Sequence, residues 1–180
     1  MGVAGSQIDG DNHRGYFKGG LNVGAWVRHM AGNNAGWQME IKYTGKGARG
    51  MDSLNYYLVS LKYVELPVMY FNQFNPKYSF QIGASAGYLF NGYYSGYSIN
   101  KDASLSTYLD QDITANLGKV DICAIAGFSY HLSEKVTFNL RITRSITPVY
   151  HVSGGTAVRP WDRNTYNNTL ALAIYYRMGV

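Results

Sequence analysis

The stretch Lys77–Phe90, KYSFQIGASAGYLF, reads two ways. Its even positions are Tyr78, Phe80, Ile82, Ala84, Ala86, Tyr88 and Phe90, all apolar or aromatic. Its odd positions are Lys77, Ser79, Gln81, Gly83, Ser85 and Gly87, and only then Leu89. Strict alternation is the period of a β-strand, whose successive side chains point to opposite faces. One face is greasy and one is wet, and the fold depends on which is inside.

The same pattern recurs along the chain. Leu21, Val23, Ala25 and Val27 alternate with Asn22, Gly24, Trp26 and Arg28. Trp37, Met39, Ile41 and Tyr43 alternate with Gln38, Glu40, Lys42, Thr44 and Lys46. Val64, Leu66, Val68 and Tyr70 stand against Tyr63, Glu65 and Pro67. Three further segments, 120–130, 136–146 and 169–180, behave alike. In them Asp121, Cys123, Asn139, Arg141, Ala171 and Arg177 fall on the second face. These seven strands each approach the ~9–11 residues that cross a bilayer at a tilt. The opening MGVAGSQ supplies an eighth, too short to span, so the first strand is expected to be incomplete in this numbering. Bacterial single-chain barrels have even strand counts, which points the same way.

Composition sets the outer limits. The chain has 180 residues, expected as one domain over 1–180, and is 46% hydrophobic but only 15% charged, with 17 Tyr and 21 Gly. Tyr and Gly at that level favour strands and tight turns. The net charge of +5 is scattered, unlike the clustered basic stripe of a nucleic-acid binder. The one cysteine, Cys123, cannot form an internal disulfide and is expected to be an inert lumen residue. No apolar run is long enough for a transmembrane helix, and a signal peptide is expected to lie outside this numbering.

The connections differ in length. Those at 29–35, 72–76 and 131–135 are short, whereas 8–15, 47–54, 91–118 and 149–166 are longer outer loops. A short helix is expected within the longest, around Ser104–Leu117. Short turns at one end and long loops at the other are the layout of an outer-membrane barrel. A soluble barrel would turn Lys, Glu and Asp to water. Here the second face is mostly Gly, Ser, Asn, Gln and Thr, which suits a narrow lumen filled by side chains. Trp37, Tyr43, Tyr78, Tyr88, Phe90, Tyr130 and Tyr176 form two aromatic rings at the ends of the greasy face, a membrane-interface signature. The expected fold is therefore all-β: an eight-stranded antiparallel transmembrane β-barrel, an up-and-down meander with its greasy face in lipid. Pro67 lacks a ladder donor and is expected to sit at a bulge.

Several motifs carry a resemblance. GSQIDGD (Gly5–Asp11), Gly15-Tyr16-Phe17-Lys18, the Glu40–Gly47 strand, YVELP (Tyr63–Pro67) and GASAGYL (Gly83–Leu89) are involved, together with a Tyr176-Arg177-Met178 ending where an aromatic is usual. Over nearly its whole length the chain resembles the PorT-type outer-membrane β-barrel family of Bacteroidota. The resemblance implies the barrel fold, and for the named member an association with type IX secretion and gliding.

Candidate sites follow from the barrel. Glu40, Glu65 and Arg141 are expected at similar depth in the lumen, with Arg141 bridging both carboxylates and Lys42 close by. A structural plug is favoured over a gated ion path, since an eight-stranded lumen is filled. Ile8–Asn12 lacks the full D-x-[DN]-x-[DN]-G pattern, so turn chemistry is favoured over a Ca²⁺ loop. His13 and His151, near Asp9, Asp11 and Ser153, would have to converge for acid–base chemistry. No G-x-S-x-G or comparable motif supports an enzyme. Tyr93, Tyr94, Tyr97, Tyr108 and Trp161 crowd the outer loops as protein-contact anchors, with ordinary loop packing as the alternative. The expectation is a non-enzymatic, plugged barrel in the outer membrane of a Gram-negative bacterium. It would act as scaffold or accessory subunit of an envelope complex for secretion, barrel assembly or nutrient uptake. A lipid-modifying enzyme and a narrow channel are the alternatives. No cofactor and no metal are expected. The partners would be outer-membrane lipid, lipopolysaccharide and other outer-membrane or periplasmic proteins, with no nucleic acid.

Overall fold

The computed structural model describes residues 1–9, 15–51, 55–99, 106–149 and 165–178. Its strands are β1 (Gly2–Asp9), β2 (Lys18–Met30), β3 (Ala35–Met51), β4 (Asn55–Asn75), β5 (Tyr78–Ile99), β6 (Ser106–Asp112), β7 (Val120–His131), β8 (Val136–Ser145) and β9 (Tyr166–Tyr176). All pairings are antiparallel, and the β4–β5 and β1–β9 ladders close every strand except β6 into a ring of eight. Closure matters because hydrocarbon offers no partner to an unpaired amide. β1 begins opposite Asn22 and Ala173, so Val23–Met30 pair through β3.

One row of partners fixes the geometry. It runs Arg28–Gln38–Met69–Gly83–Ile125–Thr143–Thr169–Ser6–Lys18. The row leaves β2 at Arg28 and returns to it at Lys18, ten residues along the strand. That stagger tilts the strands by about 40° and leaves an interior just wide enough for side chains.

The question posed by Lys77–Phe90 is answered on β5. Ser79, Gln81, Ser85 and Leu89 are buried in the lumen, whereas Phe80, Ile82, Tyr88 and Phe90 are exposed on the outer wall. Other strands agree: Ile41 on β3 is 55% exposed, and its neighbour Glu40 only 7%. The greasy face is outside. Around the short-turn end, Phe74, Tyr78, Phe128 and Tyr130 form continuous ring contacts, and Trp37 meets Tyr70 edge-on. Tyr43 and Phe90 pair at the other end. Among the described residues no helix is long and apolar enough to cross a membrane, and strands do the crossing.

Three sequence expectations need correction. Pro67 sits at no bulge: it pairs with Ser85, and the β3–β4 register is the same on either side, at Met39–Val68 and Lys42–Glu65. Only the ladder links of Leu66 and Pro67 to β3 are missing, the local consequence of an absent N–H. The β4–β5 register shifts instead at two other places, between Lys62 and Tyr63, where β4 and β5 leave the ring, and between Gln73 and Asn75 beside the short turn. The stretch 47–54, read as loop, is strand through Met51, and β4 is strand from Asn55. Likewise 91–118 is not a loop with a helix. β5 continues to Ile99, β6 returns beside it, and a single 3-10 turn follows at Thr114–Asn116. Thr114 secures that turn, its N–H donating to Asp112 Oδ1 and its hydroxyl bonding Gly92.

β3, β4, β5 and β6 thus form a four-stranded crest above the ring. Gly47, at φ 140°, keeps β3 paired with β4 there, and a Cβ would meet the Val59 carbonyl oxygen at 2.0 Å. β5 runs nine residues past Phe90, which at ~3.3 Å per residue and the barrel tilt lifts its end ~20 Å above the upper aromatics. Buried Cys123 makes sidedness easy to test. A cysteine at Ser95 should react with an impermeant maleimide on intact cells, and one at Lys77 should not. The reverse labelling would invert the barrel.

Candidate functional site

The lumen is stacked in tiers. In the lower tier Arg141 on β8 donates from both terminal nitrogens to Glu40 on β3, each at 2.9 Å. This is the bidentate geometry that makes such pairs strong. Gln38 and the Tyr175 hydroxyl donate to the same carboxylate at 2.6 and 3.0 Å. Gln81 accepts from Arg141 and from Asn139, linking β5 to β8. Beneath them, Arg28 donates to Gln38 and lies over the Phe71 ring at 4.1 Å.

The upper tier is built on Lys46. Its ammonium lies 2.6 Å from Glu65, 3.0 Å from Asp121 and 3.5 Å from the Cys123 sulfur. Lys42 takes the other Glu65 oxygen at 3.0 Å, and Thr44 donates to it. Asn167 donates to Asp121 and to the Tyr63 hydroxyl, tying β9 to β4 and β7. Two ammonium groups here face two carboxylates, so the tier is neutral. Above it Ile8, Ala48, Val59, Leu61, Leu89 and Val149 form an apolar ceiling, against which Tyr57, Tyr94, Ile113 and Leu117 pack. Removing a charge from water is expensive, and each of these ions is compensated by paired and hydrogen-bonded neighbours.

This differs from the expected network in one respect. No ion pair or hydrogen bond of the described residues joins Arg141 to Glu65, so Arg141 does not bridge both carboxylates. Glu65 sits opposite Lys42, two residues further along β3 than Glu40. Counting residues from the short turns ignored the stagger that shifts each strand against the next. Sequence reasoning put Lys46 and Asp121 on the wet face but not in the network. Lys46 as the centre of a tier was missed.

The tyrosines divide between two faces. Tyr94 points into the ceiling, whereas Tyr93, Tyr97 and Tyr108 lie on the outer face of the crest. There Met51, Tyr56, Tyr97 and Tyr108 form one cross-strand row, with Tyr56 and Tyr97 stacked at 5.7 Å. The Arg49 guanidinium lies 5.6 Å from the Tyr56 ring. Trp161, His13 and His151 lie outside the described residues, as do Asp11, Asn12 and Ser153. Asp9 is on the outer wall, bonded by Asn168 and Gln7 and 3.5 Å from Arg144. Among the described residues no three His, Cys, Asp or Glu side chains group as a metal site.

A closed ring, a greasy exterior and a salt-bridged interior are the features of an outer-membrane barrel, and a family profile described as "Outer membrane protein beta-barrel domain" matches residues 1–151. The chain belongs to that family. Its place is the outer membrane. Two structures of Ail, the attachment invasion locus protein of Yersinia pestis, share the fold. The first covers 97% of this chain and 93% of that chain, with a TM-score of 0.54 at 15% identity. The second, in complex with the heparin analogue sucrose octasulfate, gives the same coverage with a TM-score of 0.51 at 14% identity. No curated protein matches the chain.

For this family member the lower tier gives a quantitative test. Arg141→Met leaves Glu40 buried without its cation and should cost about 3–5 kcal/mol, read as a lower urea midpoint in detergent micelles. Adding Glu40→Leu should recover most of that loss, because replacing both ions by apolar groups is often neutral. An unchanged midpoint in Arg141→Met would mean that the pair contributes nothing.

Proposed function

We propose that this barrel is a plugged, non-enzymatic scaffold or accessory subunit of an envelope complex, which it contacts through its crest. The observation that carries the reading is the division of labour between interior and exterior. The lumen side chains bond to one another across the ring, and an eight-stranded lumen filled by side chains favours a plug over an open path. Tyr93, Tyr97 and Tyr108 are instead exposed on the crest above the membrane, where Tyr is a common interface anchor.

The PorT-type resemblance makes a type IX secretion complex of Bacteroidota the leading host, with barrel assembly and nutrient uptake as further hosts. Ail has been seen with a sulfated heparin analogue. The crest of this chain suits such a polyanion poorly, because β6 exposes Asp110 and Asp112 on the same face as Tyr108.

Two measurements test the proposal. In planar bilayers the protein should carry no steady current. Purified in mild detergent, it should retain an envelope partner that a Tyr97→Ser/Tyr108→Ser variant loses, while that variant stays heat-modifiable on gels. Steady currents from the unmutated protein, or a monomer that modifies lipid A, would overturn it.

A further inference from the structure

Among the described residues β6 is the one strand outside the closed ring, and its second edge has no partner there. Both faces of the strand are open: its Tyr108 is 65% exposed on one and its Leu109 49% on the other. An edge of this kind presents a row of unpaired backbone groups, a ready template for another strand. Which groups are free follows from the ladder. The Ile113 N–H donates to the Gly92 carbonyl of β5 at 2.9 Å. Alternation along an antiparallel pair then turns the backbone groups of Asp112, Asp110 and Tyr108 away from β5.

The side chains of those same three residues add a chemical preference. Asp110 and Asp112 are exposed, and neither forms an ion pair among the described residues. Asp110 accepts from the Tyr108 hydroxyl at 3.3 Å, and Asp112 caps Thr114 with Lys119 within electrostatic reach. Further basic groups on this face of the crest stand apart, Lys62 two strands away on β4 and Arg49 three strands away on β3. A strand laid against β6 would therefore set its own side chains beside two carboxylates and a tyrosine ring. Opposite charges on directly facing residues stabilise such pairs, and like charges oppose them.

We propose that the free edge of β6 takes up an extended, cationic segment of a partner protein by strand addition, with Asp110 and Asp112 selecting Lys or Arg at alternate positions. This rests on the reading of the crest as a protein-contact surface and specifies the contact. Main-chain hydrogen bonds supply the binding, and the alternate side chains supply the choice of partner.

The test uses the full chain in detergent micelles and a blocked six-residue peptide alternating Lys and Val. A Glu–Val peptide and a Lys–Val peptide N-methylated at alternate amides serve as controls. Only the unmethylated Lys–Val peptide should bind well. Binding should weaken with salt, and about tenfold in Asp110→Asn/Asp112→Asn, a change that keeps an acceptor for the Thr114 N–H. The amides of Tyr108, Asp110 and Asp112 should exchange quickly in the free protein and slowly once peptide is bound. Equal binding of the Lys–Val and Glu–Val peptides would overturn the proposal, as would indifference to N-methylation. So would amides already protected in the free protein, which would mean that the chain covers its own edge. If Tyr97→Ser/Tyr108→Ser loses its envelope partner but Asp110→Asn/Asp112→Asn does not, the scaffold reading stands and the strand-addition proposal falls.

Discussion

The stagger of ten residues between Arg28 and Lys18 on β2 is the constraint from which the rest of the structure follows. Eight strands joined with that offset must tilt, and the tilt sets a radius too small for a water-filled pore. It also decides which lumen charges meet. Arg141 and Glu40 are far apart on the pairing rows, yet the climb of the rows brings them to one level. The same climb sets Lys46 beside Asp121, three ladders away around the wall. The ion pairs are thus a readout of the shear.

Those pairs resolve a conflict built into the fold. Small residues on β1, β2 and β9, such as Ala4, Gly24 and Ala171, leave room on one side of the lumen. Long side chains from β3 and β4, among them Lys46, Tyr63, Met69 and Phe71, reach across to fill it. Filling a barrel with polar groups is acceptable only if they satisfy one another, because an unpaired buried ion is costly. Lys46 meets that condition for two carboxylates at once. The interior charges pair with one another, and on the outside β3 to β6 rise beyond the lipid.

Much of this was legible in the alternation of Lys77–Phe90 and its repeats. The period of two assigned seven of the eight wall strands and both faces, because lipid and lumen impose opposite chemistry on adjacent residues, and the even strand count pointed to the eighth. Two things were not legible. Depth in the lumen cannot be counted along one strand, since it depends on the stagger between strands. That is why the sequence joins Glu65 to Arg141, with Lys42 close by, and leaves out Lys46. The crest was hidden for a different reason. Above the membrane the outer face need not be greasy, so Tyr93, Ser95 and Tyr97 alternate with Gly92, Tyr94 and Gly96 without contrast, and Gly, Ser and Asn read as loop.

The central claim is that the wet face of the wall is inside and closed. Single spin labels placed in turn at residues 79–88 of β5 test it most directly, by collision with oxygen, which partitions into lipid, and with a water-soluble nickel chelate. The account predicts high oxygen accessibility at Phe80, Ile82, Ala84 and Ala86. It predicts low accessibility to both reagents at Ser79, Gln81, Gly83 and Ser85. Nickel access at the odd positions would contradict it by revealing an open lumen, and loss of the alternation would contradict the barrel itself.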